Sequence, residues 1–153
     1  MMSLTCDVIK KLRGRTLVTA ESCTGGGIGA ALTAVSGSSE VFKGGIISYT
    51  NWVKENVLQV DAELLKEQGA VSAPVAMQMA VGARKALQAD IAVSVTGLAG
   101  PGGDDYGNPV GTVYIGYSDE VKTKSFEFHF SGDREAVRRQ AIAAVLEIIL
   151  NEA

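Results

Sequence analysis

The chain has 153 residues, 46% of them hydrophobic and 20% charged, with a formal net charge of -3 at pH 7. Those values suit one compact domain over residues 1–153 with a substantial core, and they exclude a compositionally disordered chain. The acidic balance argues against a general nucleic-acid binder, which needs a surplus of Lys and Arg on one face. No apolar run approaches the roughly 18 to 20 residues of a membrane span, and Met1 to Arg15 lacks the hydrophobic core of a signal peptide. A cytoplasmic protein acting on small molecules, with no nucleic-acid or membrane partner, is therefore expected. Cys6 and Cys23 make no disulfide framework, and with no C-x-x-C motif or histidine cluster no metal or organic cofactor is expected.

Taken in order, Leu4, Val8, Ile9 and Leu12 have the spacing of an amphipathic helix over Leu4 to Leu12, ended by Gly14. Thr16 to Ala20 reads as a buried strand. It runs into Glu21-Ser22-Cys23-Thr24-Gly25-Gly26 and then a helix from about Thr24 to Val35, whose small residues imply close packing on a sheet. Gly44 to Tyr49 is a second strand. Asn51 is the expected N-cap of a helix carrying Trp52, Val53, Lys54, Val57 and Leu58, and a short helix from Ala62 to Gln68 is stopped by Gly69. A long helix opens at Ala73-Pro74 and reaches about Leu87, with Val75, Met79, Ala83 and Leu87 as its core stripe. Asp90 to Thr96 is a third apolar strand, which empties into a glycine-rich loop from Gly97 to Pro109. Val110 to Tyr117 and Val121 to Phe130 alternate as an antiparallel pair turned at Ser118-Asp119-Glu120, and a last helix runs from about Arg134 to Leu150. The order implies a three-layer α/β/α domain with a mixed sheet of about five strands, with ligands gathered where strand ends meet glycine turns.

The turn after the first strand is the place for chemistry. Ser22 leaves a buried strand, and the N–H groups of Thr24, Gly25 and Gly26 follow it, so the hydroxyl can attack a carbonyl while backbone donors hold the oxyanion. The same pattern also fits a plain N-cap. Cys23 is a rival nucleophile, since a helix N-terminus lowers a thiol's pKa, but a small buried cysteine is the alternative. A serine needs a base. Lys54, placed in a first helical turn where the dipole disfavours its charged form, is the candidate, with Tyr49 to relay or orient the proton. A solvated lysine and a half-buried strand tyrosine are the alternatives. His129 alternates with phenylalanines and reads as a surface residue. Gly25 to Ala30 formally satisfies G-x-G-x-x-A, but four residues separate it from the strand and no acidic residue ends the second strand, so a dinucleotide site is a weak reading. Gly97, Gly100 and Gly102 allow close backbone approach to a phosphate or carboxylate, and Arg134, Arg138 and Arg139 open the last helix, with Arg134 and Arg138 on one face.

The blocks Ala20-Glu21-Ser22-Cys23-Thr24-Gly25-Gly26, Tyr49-Thr50-Asn51-Trp52-Val53-Lys54, Gly69-Ala70-Val71-Ser72, Thr96-Gly97-Leu98-Ala99-Gly100-Pro101 and Pro109-Val110-Gly111-Thr112-Val113 resemble, in that order, the signature of the CinA C-terminal domain family. Phe130-Ser131-Gly132-Asp133-Arg134 with Val137-Arg138 extends the match. The resemblance implies nicotinamide-nucleotide amidase activity: hydrolysis of nicotinamide mononucleotide to nicotinic acid mononucleotide and ammonia, in pyridine-nucleotide salvage. It implies Ser22 as nucleophile with Tyr49 and Lys54 as the activating pair, a small nucleotide as the binding partner, and a homo-oligomer, dimer or larger. Thr24, Gly25, Gly26, Asn51, Gly97, Gly100, Gly102 and Arg138 are the expected substrate contacts, Arg138 and the second glycine loop serving the phosphate. The chain resembles the stand-alone form of the family, and Trp52 and Gln59 depart from its pattern. A non-catalytic nucleotide-binding module that regulates a partner is the alternative function.

Overall fold

The computed structural model describes all 153 residues. Its elements are α1 (Met2–Lys11), β1 (Leu17–Glu21), α2 (Gly27–Thr33), a 3₁₀ turn (Ser38–Glu40), β2 (Phe42–Ile47), α3 (Asn51–Asn56), α4 (Ala62–Gln68), α5 (Ala73–Ala86), β3 (Ile91–Gly97), β4 (Thr112–Ser118), β5 (Thr123–His129) and α6 (Arg134–Glu152). The five strands form one sheet in the order β2-β1-β3-β4-β5. β1 is parallel to β2 and β3, while β4 runs antiparallel to both β3 and β5. The expected α/β fold with a mixed five-stranded sheet is thus present.

Apolar side chains build a core on each face of the sheet. Val8, Ile9 and Leu12 from α1, Ile28 and Leu32 from α2, and Val137, Ala141, Val145 and Ile149 from α6 meet Leu17, Val93, Val95 and Ile115 on one side. On the other side Val75, Met79, Ala80 and Ala83 of α5 and Leu65 of α4 cover Val18, Ala20 and Ala92. β1 and β3 are buried throughout or nearly so, the pattern of parallel strands covered on both faces.

The packing of α5 depends on one small residue. A Cβ on Gly116 would stand 2.3 Å from the Ala76 carbonyl oxygen and 2.4 Å from Ser94 Oγ, and the Ser94 hydroxyl already donates to that carbonyl at 2.5 Å and accepts from the Gly116 N–H at 3.1 Å. Backbone and a bonded hydroxyl cannot give way cheaply, so Gly116→Ala should lower the free energy of unfolding by about 3 kcal/mol. Urea denaturation of the two proteins checks this, and an unchanged midpoint would mean that the helix can retreat.

Several boundaries differ from expectation, each for a local reason. α2 starts at Gly27 rather than Thr24, because Gly25 and Gly26 adopt φ of 57° and 101° and hold the chain in a left-handed turn that a helix cannot continue. Asn51 is the first residue of α3 and Thr50 is its N-cap, which corrects the capping assignment. β2 ends at Ile47, so Tyr49 lies beyond the strand. The turn between β4 and β5 forms where expected: Asp119 accepts from the N–H groups of Val121 and Lys122 at 2.8 and 2.9 Å and from Tyr117 Oη at 2.7 Å. His129 is exposed and contacts Glu127, as expected of a surface residue.

Candidate active site

The parallel strands β2, β1 and β3 deliver their C-terminal ends to one edge of the sheet. In register, Glu21 lies between Ile47 of β2 and Val95 of β3, and the chain crosses to opposite faces after β1 and β2, with α2 on one side and α5 on the other. A crevice opens at such a switch point in open α/β sheets. Here it is a cleft of about 470 Å³ whose walls include Ser22, Cys23, Tyr49, Asn51, Lys54, Thr96, Gly97, Gly100, Gly102, Asp105, Tyr106 and Arg134.

Ser22 and Lys54 meet at its floor. Lys54 Nζ donates to Ser22 Oγ at 3.0 Å and to the Ser48 carbonyl at 2.6 Å. Ser48 is itself fixed by β1, its N–H donating to the Glu21 carbonyl at 2.7 Å. The hydroxyl just past β1 is therefore joined to an amine on α3, the helix that follows the adjacent strand β2. Lys54 is only 1% exposed, and this burial pulls its pKa from 10.5 down to about 8, since the charged ammonium loses its water. A lysine so placed can supply a neutral amine near physiological pH.

Cys23 lines the same cleft but differs chemically. Burial pushes its thiol up to about 11, which overrides the lowering expected at a helix N-terminus and leaves a neutral thiol rather than a thiolate.

The turn that carries Ser22 is gripped from two sides. Glu21, buried at 2% exposure, accepts from Thr24 Oγ1 at 2.6 Å and from the N–H groups of Ile28 and Gly29 at 2.9 and 3.0 Å. It occupies the N-terminus of α2, so that helix end is filled by the protein's own carboxylate. Arg138 takes the other side, donating from Nε to the Cys23 carbonyl at 3.0 Å and from Nη2 to the Thr24 carbonyl at 3.1 Å. The Gly25 N–H donates to the Ser22 carbonyl at 3.1 Å.

Of the residues singled out from sequence, the fold brings Ser22, Tyr49, Lys54, Asn51, Gly97, Gly100 and Gly102 to the cleft. Thr24, Gly25, Gly26 and Arg138 are not among its walls: Thr24 is wholly buried on Glu21 and Arg138 stands behind the turn. Tyr49 is 58% exposed at the rim, where its hydroxyl accepts from Arg134 Nη2 at 3.1 Å and makes no hydrogen bond with Lys54 or Ser22. Arg134 also donates to the Gly100 carbonyl at 2.8 Å and forms no ion pair within the protein. It is the cationic side chain of the rim, one helical turn from the arginine expected in that role. Sequence reasoning missed Glu21, although an acidic residue at the end of a buried strand, just before a glycine turn, is a signal that it caps the helix that follows.

The profile of the CinA C-terminal domain matches residues 2–153. The chain belongs to the CinA C-terminal domain family. A CinA-like protein of Synechococcus sp. (strain RCC307) is 52% identical over 134 residues, 86% of this chain and 32% of that protein. A nicotinamide-nucleotide amidohydrolase, PncC, of Shigella flexneri is 46% identical over 140 residues, covering 91% of this chain and 85% of that one. The chain spans about a third of the length of the CinA-like relatives it matches. Among solved structures, the competence damage-inducible protein A (ComA) from Klebsiella pneumoniae superposes with a TM-score of 0.96 at 37% identity, over 99% of this chain and 95% of that one. A CinA superfamily protein from Escherichia coli does so with a TM-score of 0.97 at 33% identity. The CinA fold therefore extends over essentially the whole chain. No helix is long and apolar enough to cross a membrane.

Proposed function

We propose that this CinA domain is an amidohydrolase that converts nicotinamide mononucleotide to nicotinic acid mononucleotide and ammonia, with Ser22 as nucleophile and Lys54 as its base. The observation that carries the reading is the 3.0 Å contact between Ser22 Oγ and a buried Lys54 Nζ on the floor of the cleft; binding alone requires neither group. The likeness to PncC of Shigella flexneri supplies the substrate class.

In the first half-reaction Ser22 Oγ bonds to the carboxamide carbon, its proton passes to Lys54 Nζ, and the carbonyl electrons move onto oxygen. The N–H of Cys23, a residue of the cleft wall whose backbone donor has no acceptor within the protein, holds that oxyanion. Collapse breaks the C–N bond, and the Lys54 proton leaves with the nitrogen as ammonia. In the second half-reaction water gives a proton to Lys54 and its oxygen to the ester, and the proton returns to Ser22 as the acid departs. Tyr49 is thereby moved from proton relay to the rim, where Arg134 and its hydroxyl hold the substrate phosphate. Asn51 and the backbone of Gly97, Gly100 and Gly102 face the rest of the nucleotide. On the same reading the protein works in pyridine-nucleotide salvage in the cytoplasm as a homo-oligomer, the exposed Ile47 and Trp52 beside edge strand β2 being apolar surface that a second copy would cover.

Ammonia release from nicotinamide mononucleotide between pH 6 and 10 tests the proposal. Only the neutral amine accepts the serine proton, so kcat/KM should rise about tenfold per pH unit below pH 8 and level off above it. A pH-independent rate would contradict Lys54 as the base. Tight binding by calorimetry with no ammonia from any pyridine carboxamide would turn the assignment to a regulatory nucleotide-binding module.

A further inference from the structure

We propose that Arg138 is a positioning residue, which fixes the turn that presents Ser22 Oγ and the Cys23 N–H to the carbonyl under attack, and is no ligand of the substrate phosphate. The inference rests on the amidohydrolase reading above and adds how its oxyanion pocket is held.

Peptide geometry carries the argument. In a trans peptide the carbonyl of one residue and the N–H of the next point to opposite sides of the chain. Arg138 Nε holds the Cys23 carbonyl at 3.0 Å, so the Thr24 N–H is turned away from Arg138. The Ser22 carbonyl faces into the turn, accepting from the Gly25 N–H at 3.1 Å, and the Cys23 N–H leaves on the opposite side of that peptide. Arg138 Nη2 on the Thr24 carbonyl at 3.1 Å fixes the third peptide of the series, the one whose N–H closes the turn.

The outcome is a Cys23 N–H with no acceptor in the protein, on a residue that is buried yet lines the cleft. Buried N–H groups without partners are rare, and this one directly follows the nucleophile. On the α2 side of the turn Glu21 takes Thr24 Oγ1 and the N–H groups of Ile28 and Gly29. One carboxylate thus holds the turn's helix side and one guanidinium holds its carbonyls, leaving the Cys23 N–H beside Ser22 unengaged. Both side-chain hydrogen bonds that Arg138 donates go to this turn, and it forms no ion pair. Arg138 is not a wall of the cleft, whereas Arg134 is. A planar fork spans two neighbouring carbonyls; a lysine ammonium is a point charge that cannot match the fork.

Steady-state kinetics on nicotinamide mononucleotide with Arg138→Ala, Arg138→Lys and Ser22→Ala test this. Arg138→Ala should lower kcat by about 30- to 300-fold, below the full loss of an oxyanion donor, with KM changed less than about threefold. Arg138→Lys, or guanidinium added to Arg138→Ala at concentrations that leave the circular dichroism unchanged, should restore part of kcat. A raised KM with kcat intact would assign Arg138 to the phosphate and overturn the proposal. A loss of kcat that neither lysine nor guanidinium repairs would overturn it in favour of a purely structural role. If Arg138→Ala does not fold, Arg138→Lys decides: reduced kcat at unchanged KM supports positioning, and wild-type kcat overturns it. Ser22→Ala separates the two claims. If it hydrolyses at the wild-type rate the amidohydrolase reading itself falls, whereas with Ser22→Ala inert the Arg138 results judge the positioning role alone.

Discussion

Lys54→Met should abolish most of the amidohydrolase activity and at the same time make the protein more stable at neutral pH. The first effect follows from the base: with no amine 3.0 Å from Ser22 Oγ, the serine proton has no acceptor at the cleft floor, and kcat should fall by about 10²- to 10⁴-fold. The second follows from burial. Lowering a lysine pKa from 10.5 to about 8 in a site 1% exposed corresponds to ~3 kcal/mol of destabilisation at pH 7 relative to an unburied lysine. Methionine removes that cost and fills similar volume, but it leaves the Ser48 carbonyl without its 2.6 Å donor, which returns ~1 to 2 kcal/mol. A net gain of about 1 to 2 kcal/mol remains.

The sign of the pH dependence is fixed by the same shift. The folded-state pKa lies below the unfolded one, so between about pH 8 and 10.5 the unfolded chain binds more protons and wild-type stability gains from Lys54 as pH rises. The stability difference between Lys54→Met and wild type should therefore be largest below pH 8 and shrink toward pH 10. Burial, the main cause of the raised Cys23 thiol, acts in both proteins, so most of its opposing contribution leaves the difference; the smaller part that comes from the Lys54 charge stays in it. Urea denaturation at pH 7 and pH 10 measures it. A variant that is inactive but also less stable at pH 7 would mean that Lys54 is a structural cation rather than a base held at a cost.

How much of this was legible in the sequence depends on the range of the interaction concerned. The alternation of apolar strands with helices gave the α/β layers, and a hydroxyl at one strand exit with a lysine just past the next identified the pair that meets in the cleft, because neighbouring parallel strands end on the same edge. Burial, the cause of the lowered Lys54 pKa, was not readable from spacing; it depends on how α3 carries the Lys54 side chain in to Ser22 and the Ser48 carbonyl. The choice between Arg134 and Arg138 was equally hidden. They are one helical turn apart, and only the docking of α6 behind the Ser22 turn sends one to the Cys23 carbonyl and the other to Tyr49, 85 positions away in the chain. Glu21 was passed over because a charged residue at a strand end looks solvated until the following turn is seen to bend Thr24, Ile28 and Gly29 around it.

Ser22→Ala is the second large effect, and it bears on the reaction as a whole. Removing one oxygen from a residue 8% exposed leaves the Ser22 backbone, whose N–H donates to the Val95 carbonyl at 3.0 Å, and the clamps on Glu21 and Arg138 in place. The fold should therefore survive while the covalent route disappears, and a loss of ~10³-fold or more is expected, since a nucleophile and its base act as a unit. The double variant Ser22→Ala/Lys54→Met should then be little worse than either single one. The decisive measurement is the rate of ammonia release from nicotinamide mononucleotide by wild type and by folded Ser22→Ala protein: steady release by the first and none above background by the second is the predicted result, and equal release by both would contradict Ser22 as the nucleophile.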